Sequence, residues 1–168
     1  MLEAALRFLE TRPRSIGEVR RRLTGAGYRI DLVEAAIGRL TDLGILDDDA
    51  FARAWVESRD RARPRGVIAL RRELRLKDID PATIDAVLED RDSDGRPPND
   101  GDHGSADEAA AERLLARHAQ ALARIADPRA RRQRAYALLA RRGFDPEVAS
   151  AAAARVTLPP ADEDPTPA

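Results

Sequence analysis

The segment RPRSIGEVRRRLTGAGY, residues 12–28, occurs a second time as RPRGVIALRRELRLKDI, residues 63–79. The two copies align without a gap, and each residue matches the one 51 positions later in the chain. The proline and its flanking arginines match, and so do apolar positions such as Ile16 and Val67. An ungapped match of this length indicates an internal repeat, and it predicts a chain built from tandem structural units.

Apolar residues recur three and four positions apart along most of the chain, which is the spacing of one face of an α-helix. Sustained alternation of apolar and polar residues, the pattern of a β-strand, is missing from the sequence. The sequence therefore predicts an all-α fold of tandem three-helix units, each ending in a helix-turn-helix. The three helices of the first unit are predicted from Leu2, Ala5, Leu6 and Leu9; from Ile16, Val19 and Leu23; and from Val33, Ala36, Ile37 and Leu40.

Changes in composition along the chain predict where these units begin and end. Residues 1–46 and 47–90 are two three-helix repeats, and residues 107–156 are a third. Residues 91–106, RDSDGRPPNDGDHGSA, contain turn-forming and acidic residues without apolar periodicity, which predicts a flexible linker. Residues 157–168, TLPPADEDPTPA, have the composition of a disordered tail.

Capping signals support these helix positions. Ser15 and Glu18 are spaced as a capping box, and so are Asp31 and Glu34. Aspartates that precede a proline or lie one position before the first helical residue predict further N-caps. Glycines in the short turns predict left-handed helix ends. The aspartates are Asp80, Asp127 and Asp145, and the glycines are Gly27 and Gly143. In the third unit, Leu114, Leu115, His118, Leu122 and Ile125 predict one first helix.

Composition excludes several classes of protein. The chain has no cysteine, so disulfide frameworks and thiolate metal sites are excluded, as expected in a reducing cytoplasm. No apolar run is long enough to predict a membrane span, and the first ten residues do not form a secretory signal. His103 and His118 stand apart, and Trp55 shares a stripe with Phe51, which predicts core packing. We find no nucleotide-binding loop, nucleophile motif or paired carboxylates, and we expect no enzyme activity and no cofactor.

The net charge of −1 conceals a clustering of arginines on the second helix of each unit. On a helical wheel these arginines lie opposite or beside the apolar stripe, on the outer face. One interpretation is a solvated face that also opposes the helix dipole. The other is a repeated surface for anions or an acidic partner. Few residues suited to reading or stacking on bases are present, so we expect no sequence-specific DNA recognition. The candidate partner-binding residues are Arg20, Arg21, Arg71, Arg72, Arg75, Lys77, Arg131, Arg132 and Arg134.

The chain resembles the RecX family of bacterial regulatory proteins over roughly residues 2–155. The similarity lies in ALRFLETRPRSIGEVRRRL, LTDLGILDDDAFARAWVESR, LRRELRLKDI and RRGFD, and it is looser in the third unit. The resemblance implies three tandem three-helix units in an elongated, curved array. It also implies a cytoplasmic protein without catalytic residues that binds the RecA recombinase in its DNA filament. It would inhibit strand exchange and ATP hydrolysis, within DNA repair, recombination and the SOS response.

Two alternatives remain open at this point. A stand-alone helix-turn-helix protein could bind DNA without sequence specificity through phosphate contacts, or the repeats could be a scaffold for another partner. In each case we expect a monomer. One departure from the family pattern is Asp78, which stands where similar sequences end the helix with glycine. If its backbone is left-handed, the residue costs about 1 kcal/mol relative to glycine.

Overall fold

Ten helices form the regular structure of residues 2–94 and 105–156, which are the residues that the computed structural model describes. No strand occurs within these ranges, and the predicted all-α fold is confirmed. The helices are α1 (Leu2–Leu9), α2 (Ile16–Gly25), α3 (Ile30–Asp42), α4 (Asp48–Ala62), α5 (Val67–Arg75), α6 (Pro81–Asp94), α7 (Ala106–Arg117), α8 (Ala119–Ala123), α9 (Pro128–Arg141) and α10 (Pro146–Arg155).

The boundaries of the predicted linker can be compared with the helices on either side. Helix α6 continues through Asp94, and α7 begins at Ala106, so both helices enter the segment predicted as a linker. The middle of that segment, residues 95–104, and the predicted tail, residues 157–168, lie outside the described residues.

Four of the five predicted N-caps are present. Ser15 and Glu18 form a complete capping box at the start of α2, each side chain bonding the other residue's backbone N–H. The side chains of the other predicted cap aspartates accept backbone N–H groups at the starts of α6, α9 and α10. The capping box predicted at Asp31 is wrong. Helix α3 begins at Ile30 with Arg29 as its N-cap, two residues earlier than predicted, and Asp31 lies in the first turn as the ion-pair partner of Arg29.

The second helix of each repeat ends in the same Schellman motif. In α2 the N–H of Tyr28 bonds the carbonyl of Leu23, and the N–H of Gly27 bonds that of Thr24. The ends of α5 and α9 repeat both bonds. The motif needs a left-handed residue, and the three are Gly27 (φ 86°), Asp78 (φ 57°) and Gly143 (φ 76°). The backbone of Asp78 is therefore left-handed, in a residue that has a Cβ atom.

The first helix of the third repeat differs from the prediction. The stripe through His118 predicts one helix, but α7 ends with His118 as its C-cap (φ −107°) and the short α8 follows. The break leaves Leu115 and Leu122 both buried on the same core, one from each helix. An uninterrupted stripe does not reveal such a break because both helices continue to bury apolar residues.

The described part of the chain divides into two compact units. Of the described residues, unit 1 comprises 2–59 and 70–91, and unit 2 comprises 60–69, 92–94 and 105–156. Unit 1 contains a core built on Val19, Leu23, Val33 and Leu40, with Leu46 from the connection between α3 and α4. Unit 2 contains an alanine-rich core centred on Leu114, Leu139 and Phe144.

Each unit contains the same junction between consecutive repeats. In unit 1 the N–H of Ile16, at the start of α2, donates to the Asp48 carboxylate over 2.8 Å. In unit 2 the N–H of Val67, at the start of α5, donates to the Asp107 carboxylate over 3.0 Å. In both cases the first helix of one repeat supplies the acceptor for the second helix of the repeat before it. These helix starts would otherwise leave an unpaired N–H.

One further hydrogen bond completes each junction. Ser15 donates its hydroxyl to the carbonyl of Lys77 over 2.6 Å, and Gly66 donates its N–H to the carbonyl of Arg142 over 3.1 Å. Gly66 must be glycine because an added Cβ would lie 2.2 Å from the Gly143 carbonyl oxygen. The repeat seen in the sequence is therefore a repeat of junctions as well as of helices.

Candidate partner-binding surface

Helix α2 holds its two predicted contact residues in ion pairs. Arg20 binds Glu34 of α3 through two N–H groups, with N···O distances of 2.6 and 3.0 Å. This contact raises the pKa of Arg20 and lowers that of Glu34. Arg21 lies 2.6 Å from the Asp78 carboxylate and donates to the carbonyl of Leu76. Both guanidinium groups are thus directed by partners within the protein.

The ion pair of Arg20 has a counterpart in the second repeat. Arg71 of α5 bonds Asp85 of α6, and both residues lie 51 positions after Arg20 and Glu34. The pair therefore joins the second and third helices of each of the first two repeats. Because these side chains are 35–50% exposed and solvent screens them, each pair contributes about 0–1 kcal/mol to stability. The repeated pair accounts for one of the arginine positions that the two segments share.

The C-terminal half of α5 presents cations without such partners. Arg72 and Arg75 are exposed, and neither forms an ion pair with any residue in the described ranges. Leu76, which follows directly, is 65% exposed. Residues three and four apart lie on one side of a helix, so these three side chains form one patch, here called the α5 surface. It combines two available guanidinium groups with an exposed apolar side chain.

Lys77 is held within a network in unit 1. Its ammonium donates to Glu18 over 2.7 Å and lies 4.8 Å from the centre of the Trp55 ring. The side chains of Lys77 and Glu18 are only 19% and 12% exposed. Burial raises the pKa of Glu18, but hydrogen bonds from Lys77, Arg12 and the Ser15 backbone outweigh it and lower that pKa to about 2. The network joins the first repeat to the second.

Trp55 lies beneath this network and is half-buried. Its ring stacks on Phe51 with centroids 5.9 Å apart, and the Arg59 guanidinium lies 4.1 Å from its centre. The indole N–H donates to Glu73 over 2.9 Å, and Arg59 donates to the same carboxylate. The packing on Phe51 predicted from their shared stripe is present, and cations cover the rest of the ring.

Helix α9 in unit 2 carries the remaining predicted contact residues. Arg131 is half-buried and donates two N–H groups to the carbonyl of Ile125, which fixes the turn before the helix. Arg132 and Arg134 are exposed, and within residues 2–94 and 105–156 neither has an ion-pair partner. The nine predicted residues therefore divide into five with internal partners and four with available side chains: Arg72, Arg75, Arg132 and Arg134.

Sequence reasoning located the arginines but missed the acidic residues that bind them. Glu34 and Asp85 occupy equivalent positions in the repeat, so their equivalence was a usable signal. The pairing of Arg21 with Asp78 had no such signal, because those residues lie 57 positions apart and meet only through repeat packing. In the third repeat Gly143 replaces Asp78 and offers no carboxylate.

The described residues contain no cluster of side chains suited to a metal ion. Nor does any helix in this part of the chain have the length and apolar character required to cross a bilayer. His118 serves as a helix cap, and His103 lies outside the described residues. The arrangement is therefore one of charged surfaces and internal ion pairs.

Comparison with protein families matches all three repeats. Residues 2–40 match the first three-helix domain of RecX, residues 47–88 the second, and residues 106–152 the third. The three matches follow the same order along the chain as the helices described above. Together they cover most of its length.

Individual relatives agree with the family matches. A Regulatory protein RecX from Pelodictyon phaeoclathratiforme is 31% identical over 95% of this chain and 91% of its own length. One from Thermobifida fusca is 34% identical over 83% and 69%, respectively. The match to the Mycolicibacterium smegmatis protein of that name, 40% identical, covers 52% of this chain and about half (46%) of that relative.

Two solved structures share the fold. The crystal structure of RecX from Lactobacillus salivarius has a TM-score of 0.74 over 92% of this chain and 93% of its own, at 18% identity. A second, described as a crystal structure of regulatory protein RecX, has a TM-score of 0.69 over 88% and 66%, at 20% identity. At these identities the likeness establishes the fold of the chain.

Proposed function

This chain belongs to the RecX family of regulatory proteins, and from that premise we propose that it binds the RecA recombinase filament and restrains strand exchange and ATP hydrolysis. It acts by binding, as a cytoplasmic monomer without a cofactor. The relatives with the longest matches carry the name of a regulatory protein, which supports a role in control. The nine predicted basic residues are the proposed contacts, and DNA phosphates within the filament are a further proposed contact.

The observation that carries the proposal is the α5 surface. Arg72 and Arg75 keep their charges unpaired within the described part of the chain, while Arg71 beside them is satisfied by Asp85. Arginine next to exposed leucine is a combination suited to a protein partner, because arginine is enriched at protein interfaces and apolar burial adds affinity. A surface for phosphates alone would gain nothing from Leu76.

The available arginines therefore have a different role from the paired ones. Arg20 and Arg71 orient neighbouring helices, and Lys77 joins two repeats, so their substitution affects stability as well as binding. Arg72 and Arg75 can be changed with little effect on the fold, because surface substitutions away from special contacts change stability by about 0.5 kcal/mol or less. These two residues separate partner binding from folding.

The test is the ATPase activity of RecA on single-stranded DNA with added protein. We expect inhibition near stoichiometric amounts. The variant Arg72→Glu should weaken inhibition at least tenfold, and Arg75→Glu should do the same, because each places a negative charge on the α5 surface. Imaging of RecA filaments with and without the protein checks binding directly.

Arg39→Glu is the matched control. Arg39 is exposed on α3, lies outside the predicted contacts, and its substitution changes the net charge by the same amount. If Arg39→Glu weakens inhibition as much as Arg72→Glu, only the overall charge matters and the α5 surface is not the contact. If the unmodified protein leaves the ATPase unchanged at stoichiometric amounts, the proposed function is wrong.

A further inference from the structure

A groove runs between α9 and α10 in unit 2, and one of its lining residues, Ala153, belongs to the alanine-rich core of that unit. Its volume is about 410 Å³, which is within the range of small-ligand sites. Four side chains from α9 and two from α10 line it: Arg129, Arg132, Gln133, Tyr136, Ser150 and Ala153. The chemistry of these side chains is unlike that of the α5 surface, because it includes an aromatic ring and an amide.

The α9 wall of the groove is built by helix spacing. One face of α9 carries all four side chains, because three of them follow Arg129 at spacings of three, four and seven positions. They are Arg132, Gln133 and Tyr136. Small residues form the facing side of α10, where Ala153 is buried and Ser150 is exposed. Because alanine and serine project little, the long α9 side chains stand over a shallow floor.

The polar groups of the groove are not used within the described chain. Arg129 and Arg132 are exposed and have no ion-pair partner in the residues that the structure describes. Tyr136 is 38% exposed, and its ring and hydroxyl have no stacking or hydrogen-bond partner in the same ranges. A tyrosine ring turned to solvent beside two available guanidinium groups offers a flat apolar face and positive charge within one site.

We propose that this groove binds a segment of single-stranded nucleic acid. Arg129 and Arg132 contact successive backbone phosphates, and a base stacks on Tyr136, with Gln133 available to its polar edge. Single-strand sites combine backbone-binding cations with aromatic rings on which bases stack. Arginine in particular suits phosphate because its planar group donates two parallel hydrogen bonds.

The aromatic ring distinguishes this ligand from an acidic peptide. Carboxylates would use Arg129 and Arg132 but would leave the exposed ring of Tyr136 without a role. A base uses both the ring and the amide of Gln133, one of only two glutamines in the chain. The proposed site rests on the DNA contact proposed above, for which it names a stacking ring and a second arginine, and it can be tested without RecA.

The test is fluorescence anisotropy of a labelled oligothymidine added to the full-length protein. Tyr136→Ala should weaken binding about tenfold, whereas Tyr136→Phe, which keeps the ring, should bind as the unmodified protein does. Arg132→Gln should weaken binding and reduce the slope of log affinity against log salt concentration by about 0.7, the value for one phosphate contact. Arg141→Gln, on the same helix but outside the groove, removes the same charge and should change neither.

Three outcomes would overturn the proposal. Equal effects of Arg141→Gln and Arg132→Gln would show that only the net charge of the helix matters. Binding that is unchanged in Tyr136→Ala, with circular dichroism showing intact helices, would remove the stacking contact. Heparin is a polyanion without bases. If Tyr136→Ala weakens the binding of labelled heparin as much as it weakens oligothymidine binding, the ring supports the groove without stacking on a base. RecA inhibition could persist in each case, so the two proposals fail separately.

Discussion

Replacing Glu18 with glutamine tests how strongly the first two repeats are joined. The carboxylate accepts hydrogen bonds from Lys77, Arg12 and the Ser15 backbone, and these bonds lower its pKa from 4.5 to about 2 despite its burial. One pKa unit corresponds to about 1.4 kcal/mol, so the charge of Glu18 contributes at most about 3 kcal/mol to the free energy of unfolding. Glutamine keeps the shape and one acceptor but removes the charge.

The pH dependence of the effect follows from the direction of the shift. The pKa of Glu18 is lower in the folded protein than in the unfolded chain, so its contribution is complete above pH 4.5 and is lost as the pH falls towards 2. We expect Glu18→Gln to lower the free energy of unfolding by about 2–3 kcal/mol at pH 7. The difference from the unmodified protein should disappear between pH 4.5 and pH 2.

Trp55 provides the assay. It is the only tryptophan, and Lys77 lies over its ring, so urea unfolding followed by tryptophan fluorescence reports on this junction. Lys77→Met completes a double-mutant cycle, and we expect a coupling energy with Glu18→Gln of about 1–3 kcal/mol. A difference between Glu18→Gln and the unmodified protein that does not change with pH, or a coupling near zero, would refute the reasoning.

Three further predictions concern the same repeats, each measured by urea unfolding. Asp48→Asn should leave the free energy of unfolding at pH 7 unchanged or raised. Burial raises the pKa of Asp48, so its charge weakens the fold as the pH rises, whereas an amide oxygen can still accept the α2 N–H. A large loss of stability at pH 7 would contradict this. Asp78→Gly in an Arg21→Ala background should stabilise the protein by about 1 kcal/mol. Glycine relieves the strain of the left-handed backbone at residue 78, and the Arg21→Ala change has already removed the ion pair. A loss of stability would show that the backbone is unstrained. Gly66→Ala should lower the free energy of unfolding by about 2 kcal/mol or more, because the added Cβ clashes at the unit 2 junction. Its control, Gly25→Ala, lies in open space within α2 and should stabilise the protein by about 0.5–1 kcal/mol. Equal effects would exclude a close approach at Gly66.

Local signals in the sequence predicted the helices well. The apolar stripes gave the helical faces, and Ser15, Asp127 and Asp145 cap their helices as predicted. These features depend on residues within about four positions of one another, where spacing alone determines which groups can meet. The failures at Asp31 and His118 were also local, because another residue one or two positions away could serve as the helix end.

The availability of each arginine could not be predicted in the same way. A helical wheel places Arg21 and Arg72 alike, yet Arg21 binds Asp78 and Arg72 has no ion pair within the described ranges. The helical wheel also predicts Lys77 as a surface residue, but Glu18 and Trp55 nearly enclose its side chain. The groove between α9 and α10 likewise depends on which residues of two helices face each other, and the wheel of one helix does not contain that information.

The sequence by itself determined the repeated helical module, its caps and its turns, because hydrophobic periodicity and backbone hydrogen bonding act over a few residues. Only the tertiary structure decided which charges are satisfied and which remain available. Ion pairs join residues such as Glu18 and Lys77, 59 positions apart, and their distances are set by how one repeat packs on the next. A cation becomes available for a partner only where that packing provides no carboxylate.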